Sequence, residues 1–178
     1  MKFVILDRDG VINQDSSEFI KNPDEWIPIP GSLEAIARLS QAGWRIVVAS
    51  NQSGLARGLF SMDTLNAIHS KMRQELMQAG GHIDAVFICA HGPDDGCECR
   101  KPKPGMFLDI AQRYDIDLRD VPAVGDSLRD LQAASAAGCA PWLVMTGNGQ
   151  KTLANGNLPA GTQIKENLAA VVDSWLEA

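Results

Sequence analysis

The sequence is poor in the features that would tie a protein to a bilayer or a nucleic acid. Its 178 residues contain no apolar run of about 18, the length a helix needs to cross a membrane. Residues 1–7 reach a carboxylate after four apolar positions, too short a run for an export-signal core. Positive charge is in deficit: 16 Lys and Arg against 22 Asp and Glu leave a net charge of −6, with no basic stripe. A phosphate backbone is normally met by clustered Lys and Arg, so a nucleic-acid partner is disfavoured. Charge is also too sparse for disorder, at 21% against 45% hydrophobic residues. The expectation is one soluble, cytoplasmic domain over residues 1–178, acting as a monomer with no membrane partner.

What the chain does have is alternation. Residues 3–6, 45–49, 85–89, 123–124 and 142–145 read as strands. Residues 31–42, 61–79, 104–114, 128–137 and 166–176 read as helices between and after them, from apolar residues such as Leu33, Ile36, Ala37 and Leu39 on one face. Ser32 and Ser61 are the expected N-caps, and Pro104 the first-turn residue of its helix. The Gly- and Asn-rich residues 146–159 read as a loop. Such alternation predicts an α/β fold with a doubly wound parallel sheet. In these sheets ligands sit beyond the carboxyl ends of the strands.

The residues suited to chemistry fall there. Asp7 and Asp9 follow the first strand, Ser50 the second, and Gly125-Asp126 the fourth; Lys101 lies in the loop after the third. Residues two apart on an extended segment point the same way, about 7 Å apart, so Asp7 and Asp9 face one pocket. Two such carboxylates resist joint ionisation unless a cation intervenes or one keeps a proton. Phosphoryl transfer uses both conditions. Asp7 would ligate Mg²⁺ and attack phosphorus, and Asp9 would protonate the leaving oxygen and later deprotonate water. Asp126 would add an oxygen ligand to the Mg²⁺, while Lys101 and the Ser50 hydroxyl hold the developing charge.

A second cluster is Cys89-Ala90-His91 followed by Cys97-Glu98-Cys99. Three thiolates and one imidazole fill a tetrahedral Zn²⁺ shell, leaving no open position, so the zinc is expected to be structural. It would stiffen a loop with little apolar content, directly before Arg100 and Lys101. Cys139 reads as a small core residue, His69 and His82 as isolated side chains, and Trp26 as a candidate wall of the pocket.

Taken in order, Asp7-x-Asp9-Gly10-Val11, Ser50-Asn51-Gln52, Lys101 and Gly125-Asp126 resemble the four motifs of the haloacid dehalogenase superfamily of phosphatases. The runs 50–58 and 97–106 are similar to its zinc-loop group, the heptose 1,7-bisphosphate phosphatases, with histidinol-phosphate phosphatases as runner-up. The likeness covers nearly the whole chain. It implies a Rossmann-like core without a cap domain, a small sugar phosphate as substrate, Mg²⁺ in catalysis and Zn²⁺ in the loop. It further implies an aspartyl-phosphate on Asp7 and removal of the 7-phosphate on the way to nucleotide-activated heptose for lipopolysaccharide core. Asp7, the Asp9 backbone carbonyl and Asp126 are the implied Mg²⁺ ligands. Arg100, Asn51, Gln52, Ser53 and the loop carrying Asp15 and Glu18 are implied substrate contacts. One departure is Ser127, where the family often has Lys; no role is assigned to Arg57. The rival from another class is a silent, zinc-stabilised binding module.

Overall fold

The computed structural model describes residues 1–178. Its strands are β1 (Phe3–Leu6), β2 (Arg45–Asn51), β3 (Ala85–Cys89), β4 (Pro122–Gly125), β5 (Ala140–Val144) and β6 (Gln163–Lys165). The helices are α1 (Ser32–Gln41), α2 (Met62–Gln78), α3 (Gly105–Tyr114), α4 (Leu128–Ala136), α5 (Gly149–Asn155) and α6 (Leu168–Leu176). All strand pairs are parallel, in the order β3-β2-β1-β4-β5-β6. The chain winds outward from β1 through β2 to β3, then crosses back to β4, which makes the β1–β4 junction the topological switch point.

Period-two alternation divides the core between the two faces of the sheet. Val4 and Leu6 of β1, with Ile46 and Val48 of β2, pack with Ile36 of α1, Met72 of α2 and Val171 of α6. Phe3 and Ile5, with Val47 and Ala49, pack with Phe107 and Ile110 of α3 and Ala133 of α4. Because both faces are covered, β1 is buried at every position, which is why its sequence is a continuous apolar run. Residues 7–31 form no second core above the strand ends. Val11, Ile12, Ile20, Trp26 and Ile29 instead anchor this stretch by burial, and Lys71 Nζ donates to the carbonyls of Pro23 (2.8 Å) and Trp26 (2.9 Å). No cap domain is present. No helix is long and apolar enough to cross a membrane.

Several local expectations change. The N-cap of α1 is Gly31, at φ 86°, not Ser32. The Ser32 hydroxyl donates instead to the Val11 carbonyl at 2.8 Å, tying α1 to the segment after β1. Pro104 is the N-cap of α3 and not its first helical residue. Ser61 does cap α2, accepting from Thr64 N at 3.1 Å. Residues 146–159 contain the short helix α5, whose Gly and Asn content hides it from helix propensity. Strand β6 is only three residues long and mostly exposed, so it carries no apolar signal. Trp26 is fully buried in the core and does not line the cavity beside Asp7 and Lys101.

Candidate active site

The strand ends converge as the topology requires. Asp7 follows β1 directly and its N–H donates to the Val124 carbonyl of β4 at 2.9 Å, which fixes it at the switch point. Gly10 follows at φ 86°, and a Cβ there would collide with the Asp126 carboxylate. Glycine at this turn is what lets the two chain segments close together.

Lys101 is 2% exposed and spans the centre of the site. Its Nζ donates to Asp7 Oδ1 at 3.0 Å, to Asp130 Oδ1 at 2.7 Å and to the Ala49 carbonyl at 2.8 Å. The peptide around it is clamped by one side chain: Asn51 Oδ1 accepts from Lys101 N at 3.0 Å, and Asn51 Nδ2 donates to Lys101 O at 3.1 Å. Burial opposes the ammonium charge, yet Asp130 and Asp7 outweigh it and raise the Lys101 pKa. Lys101 is therefore a fixed cation throughout the neutral range.

Asp130 has no counterpart among the sequence-predicted residues. Its Oδ2 accepts from the N–H groups of Asp126 and Ser127, both at 3.1 Å, while Oδ1 meets Lys101. Burial would raise its pKa, but Lys101 overrides this and brings it down to about 2. The signal was present as Ser127-x-x-Asp130, a capping-box pattern, which reads as helix punctuation rather than chemistry.

The other two carboxylates are in the opposite state. Burial, then repulsion from Asp130, pushes Asp7 up to about 7 despite Lys101. Burial, then Asp130 and Asp7, pushes Asp126 up to about 9. One carboxylate oxygen from each of Asp7, Asp126 and Asp130 lies within 4.8 Å of the others. Three crowded carboxylates facing one ammonium cannot all ionise without further positive charge, a donor set that fits a hard divalent cation such as Mg²⁺. Since Asp130 is already committed to Lys101 and two N–H groups, Asp7 and Asp126 are the oxygens free to take it.

Asp9 lies beside this cluster with its own set of partners. Burial raises its pKa, but the Arg8 guanidinium, 2.8 Å from Oδ1, outweighs that with help from Asn13 and Gln52 and holds the carboxyl below its ordinary value. Arg8 is itself fully buried and donates at 3.1 Å to His69 Nε2, which accepts only when His69 is neutral. Burial, then Arg8, lowers the His69 pKa to about 4. His69 is thus not isolated; it holds the far side of the Arg8 guanidinium.

A cavity of about 330 Å³ opens over these groups. Of the sequence-predicted residues, Asp7, Asp9, Asp15, Asn51, Gln52, Ser53, Arg100, Lys101 and Asp126 line it. Ser50 and Glu18 do not. Ser50 is buried at the end of β2, where its hydroxyl accepts from Gln52 Nε2 at 2.8 Å. Glu18 is exposed and uses its backbone carbonyl to accept from Lys21. Asn148, which follows β5, was missed. Its N–H donates to Asp126 Oδ2 and its Nδ2 to Asp15 Oδ2, both at 2.8 Å, joining the acidic cluster to the segment after β1. The strand-end rule, applied after the strand expected at residues 142–145, points to this position.

Beside the cavity, Cys89, His91, Cys97 and Cys99 present one ligand atom each within 4.8 Å of one another. A tetrahedral Zn²⁺ with bonds of about 2.3 Å to sulfur separates its sulfurs by about 3.8 Å. The Sγ atoms of Cys89 and Cys97 are 3.7 Å apart, and Cys89 Sγ is 3.6 Å from His91 Nδ1; the Cys99–Cys89 pair is tighter at 3.0 Å. Burial and the neighbouring thiols push Cys99 up to about 12. In Cys97 burial is outweighed by the Arg100 backbone N–H and the same thiols, down to about 7. Thiols this crowded cannot all ionise without a cation, and the donor set fits zinc. Cys139 stands apart in the core, its thiol pushed up to about 12 by burial.

Two family models match: one described as HAD-hydrolase-like over residues 98–174, and one described as polynucleotide kinase 3 phosphatase over residues 2–135. The chain is 70% identical over 177 residues to the D-glycero-beta-D-manno-heptose-1,7-bisphosphate 7-phosphatase of Bordetella bronchiseptica, covering 99% of each. It is 55% identical to the protein of the same name from Pseudomonas aeruginosa, covering 98% of this chain and 97% of that one. Among solved structures, the B. bronchiseptica D,D-heptose 1,7-bisphosphate phosphatase complexed with magnesium and phosphate superposes with a TM-score of 0.99 at 69% identity, covering 99% of both chains. The Burkholderia thailandensis phosphatase of that name gives 0.80 at 52% identity over the full length of both.

Proposed function

The chain belongs to the haloacid-dehalogenase-like hydrolases, among the heptose 1,7-bisphosphate 7-phosphatases, and we propose that it removes the 7-phosphate of D-glycero-D-manno-heptose 1,7-bisphosphate. The product feeds nucleotide-activated heptose for lipopolysaccharide core. The reaction is assigned to the cytoplasm, to a monomer and to one domain over residues 1–178. The observation that carries the reading is Lys101 Nζ bridging Asp7 and Asp130 at the floor of the cavity, with Asp126 beside them. It assembles a nucleophile, a fixed cation and a free pair of metal-binding oxygens at one point.

The chemistry follows from the charges. An Asp7 oxygen attacks phosphorus and the bond to the sugar oxygen breaks, leaving an aspartyl-phosphate; Asp9 gives the departing oxygen its proton. Asp9 then takes a proton from water, whose oxygen attacks phosphorus and frees the Asp7 carboxylate. Arg8 favours the ionised form of Asp9 that the second step needs. The dianionic phosphoryl group, arriving beside Asp9, favours the protonated form that the first step needs. Lys101 holds the charge that develops on the phosphoryl oxygens, and Ser50, behind Gln52, supports the same end of β2. Mg²⁺ held by Asp7, Asp126 and the Asp9 backbone carbonyl supplies charge neutralisation to substrate and nucleophile. Cys89, His91, Cys97 and Cys99 would hold a Zn²⁺, which would supply rigidity to the loop before Arg100. Asp15, Asn51, Gln52, Ser53 and Arg100, which line the cavity, are assigned to substrate recognition, with Glu18 outside it on the same segment as Asp15 and with Asn51 doubling as the clamp on Lys101.

Phosphate release from the heptose bisphosphate, measured with and without Mg²⁺ beside histidinol phosphate, tests the reading. Magnesium-dependent turnover with preference for the heptose is expected. Preference for histidinol phosphate overturns the substrate, and no phosphate release from either returns the chain to a binding module.

A further inference from the structure

Helix α2 buries five side chains, Leu65, Ile68, His69, Met72 and Leu76, and four of them are apolar. An imidazole set into such a stripe is costly to desolvate unless a partner receives it. That partner is Arg8, which is fully buried and lines no part of the cavity although it lies between Asp7 and Asp9. The planar Arg8 guanidinium uses its two edges differently. On one edge, Nε and Nη2 both donate to Asp9 Oδ1, at 3.0 Å and 2.8 Å. On the other, Nη1 donates to His69 Nε2 at 3.1 Å. Asn13 Nδ2 brings a third donor to Asp9 Oδ1 at 2.9 Å, whereas Oδ2 accepts from Gln52 Nε2 alone, at 3.1 Å. A carboxylate oxygen has two lone pairs, so Oδ1 with three donors is full. Oδ2 is the oxygen open to proton exchange.

We propose that His69 is a positioning residue for cleavage of the phosphate ester: by accepting from Arg8 Nη1 it fixes the guanidinium so that the opposite edge pins Asp9 Oδ1, which keeps Oδ2 as the oxygen that passes the proton. The proposal rests on the phosphatase reading above and deepens it. His69 touches no substrate and acts only as a hydrogen-bond acceptor. Because the guanidinium is planar and rigid, holding one edge sets the direction of the other. Without that hold the fork is free to swing, and Oδ1 is released to compete for the proton. In the reaction the proton leaves Asp9 Oδ2 for the sugar oxygen as the bond from that oxygen to phosphorus breaks. Water returns a proton to Oδ2 when it hydrolyses the aspartyl-phosphate. The acceptor is itself well anchored. Ile68 and Met72, either side of His69 on α2, pack in the same core as Val4 and Leu6 of β1, the strand that leads into Asp7 and Asp9. A proton-transfer group is held in register when its support is locked by packing in this way.

The test compares kcat and KM of wild type, H69L and H69Q, with magnesium, on heptose 1,7-bisphosphate and on p-nitrophenyl phosphate. Nitrophenolate departs without a proton, so phosphoryl transfer from that compound, read as kcat/KM, needs no acid. H69L removes the acceptor, whereas H69Q keeps a carbonyl oxygen within reach of Arg8. H69L is expected to lower kcat on the heptose by roughly 10–100-fold at unchanged KM, since a displaced acid forfeits part of what general acid catalysis supplies. Its kcat/KM on the aryl phosphate is expected to stay within about threefold of wild type, and H69Q to keep most of the activity on both. In an R8M background, where the fork is gone, H69L is expected to change kcat on the heptose by less than about twofold. That pair removes both buried polar groups together, so it folds even where H69L alone strands the guanidinium. Unchanged heptose turnover in H69L, equal losses on the two compounds, no rescue by H69Q, or a full further loss in the R8M background each overturn the role of His69 and leave the phosphatase reading in place. Failure of wild type to release phosphate from the heptose removes that reading, and the role with it.

Discussion

Replacing Lys101 with Met keeps the length of the side chain and removes its charge. In the protein that charge is 2% exposed and touches two carboxylates and a backbone carbonyl. Breaking a buried pair by removing one partner usually costs about 3–5 kcal/mol, because the remaining charge is stranded. The lower end applies here, since Asp7 and Asp126 already sit at about 7 and about 9 and take up protons readily. Asp130, held at about 2 mainly by Lys101 against burial, bears most of the loss. Urea unfolding at pH 7.5 is therefore expected to show K101M destabilised by about 3 kcal/mol, and less at pH 6, where the stranded carboxylates protonate. Turnover is expected to fall by roughly 10²–10³-fold, as when one donor to a developing oxyanion is deleted. The double variant K101M/D130N should recover about 1–3 kcal/mol relative to the sum of the singles. A K101M protein within 1 kcal/mol of wild type, with turnover down by less than tenfold, would refute the account of Lys101 as the central cation.

Three further outcomes are expected. Asp7→Asn should lower kcat by roughly 10⁴-fold or more without changing the fold, because no other residue is placed to attack phosphorus; steady-state assay of a variant keeping a tenth of its activity would exclude the role. His69, at about 4 when folded against 6.5 ordinarily, is neutral above pH 6.5 and penalises the folded state as pH falls through that window. Wild type should accordingly lose up to about 3 kcal/mol relative to H69Q between pH 6.5 and 4 in thermal or urea unfolding, whereas a pH-independent difference would contradict the neutral Arg8–His69 contact. Cys97→Ser should release zinc to a colorimetric chelator and raise KM more than it lowers kcat, since Arg100 loses its support while Asn51 still clamps Lys101. Zinc retention or unchanged kinetics would count against that division.

The architecture was readable because the strand–helix alternation is strong and because a parallel sheet puts its chemistry at one edge. Asp7 with Asp9, Lys101 and Asp126 could be gathered from three distant segments by that rule alone. The positions that escaped did so for physical reasons. Asp130 looks like a helix cap because it is one, and its pairing with Lys101 spans a distance in sequence that no local pattern reports. Arg8 in Asp7-Arg8-Asp9 gives no sign of being wholly buried, since the group that receives it, His69, lies on a helix 61 positions away. Asn148 was lost with α5, whose Gly and Asn residues disguise a helix. Trp26 was misplaced because an aromatic in a long connecting segment reads the same whether it lines a cavity or fills a core.

The double hydrogen bond between the Asn51 amide and the peptide of Lys101 separates two duties that adjacent residues might have shared. Lys101 is fastened to the sheet through β2, while Arg100, one residue earlier, follows the Cys/His loop. Natural variation or an engineer can therefore rebuild that loop to admit a different sugar, and the hydrolytic machinery beneath it stays in register.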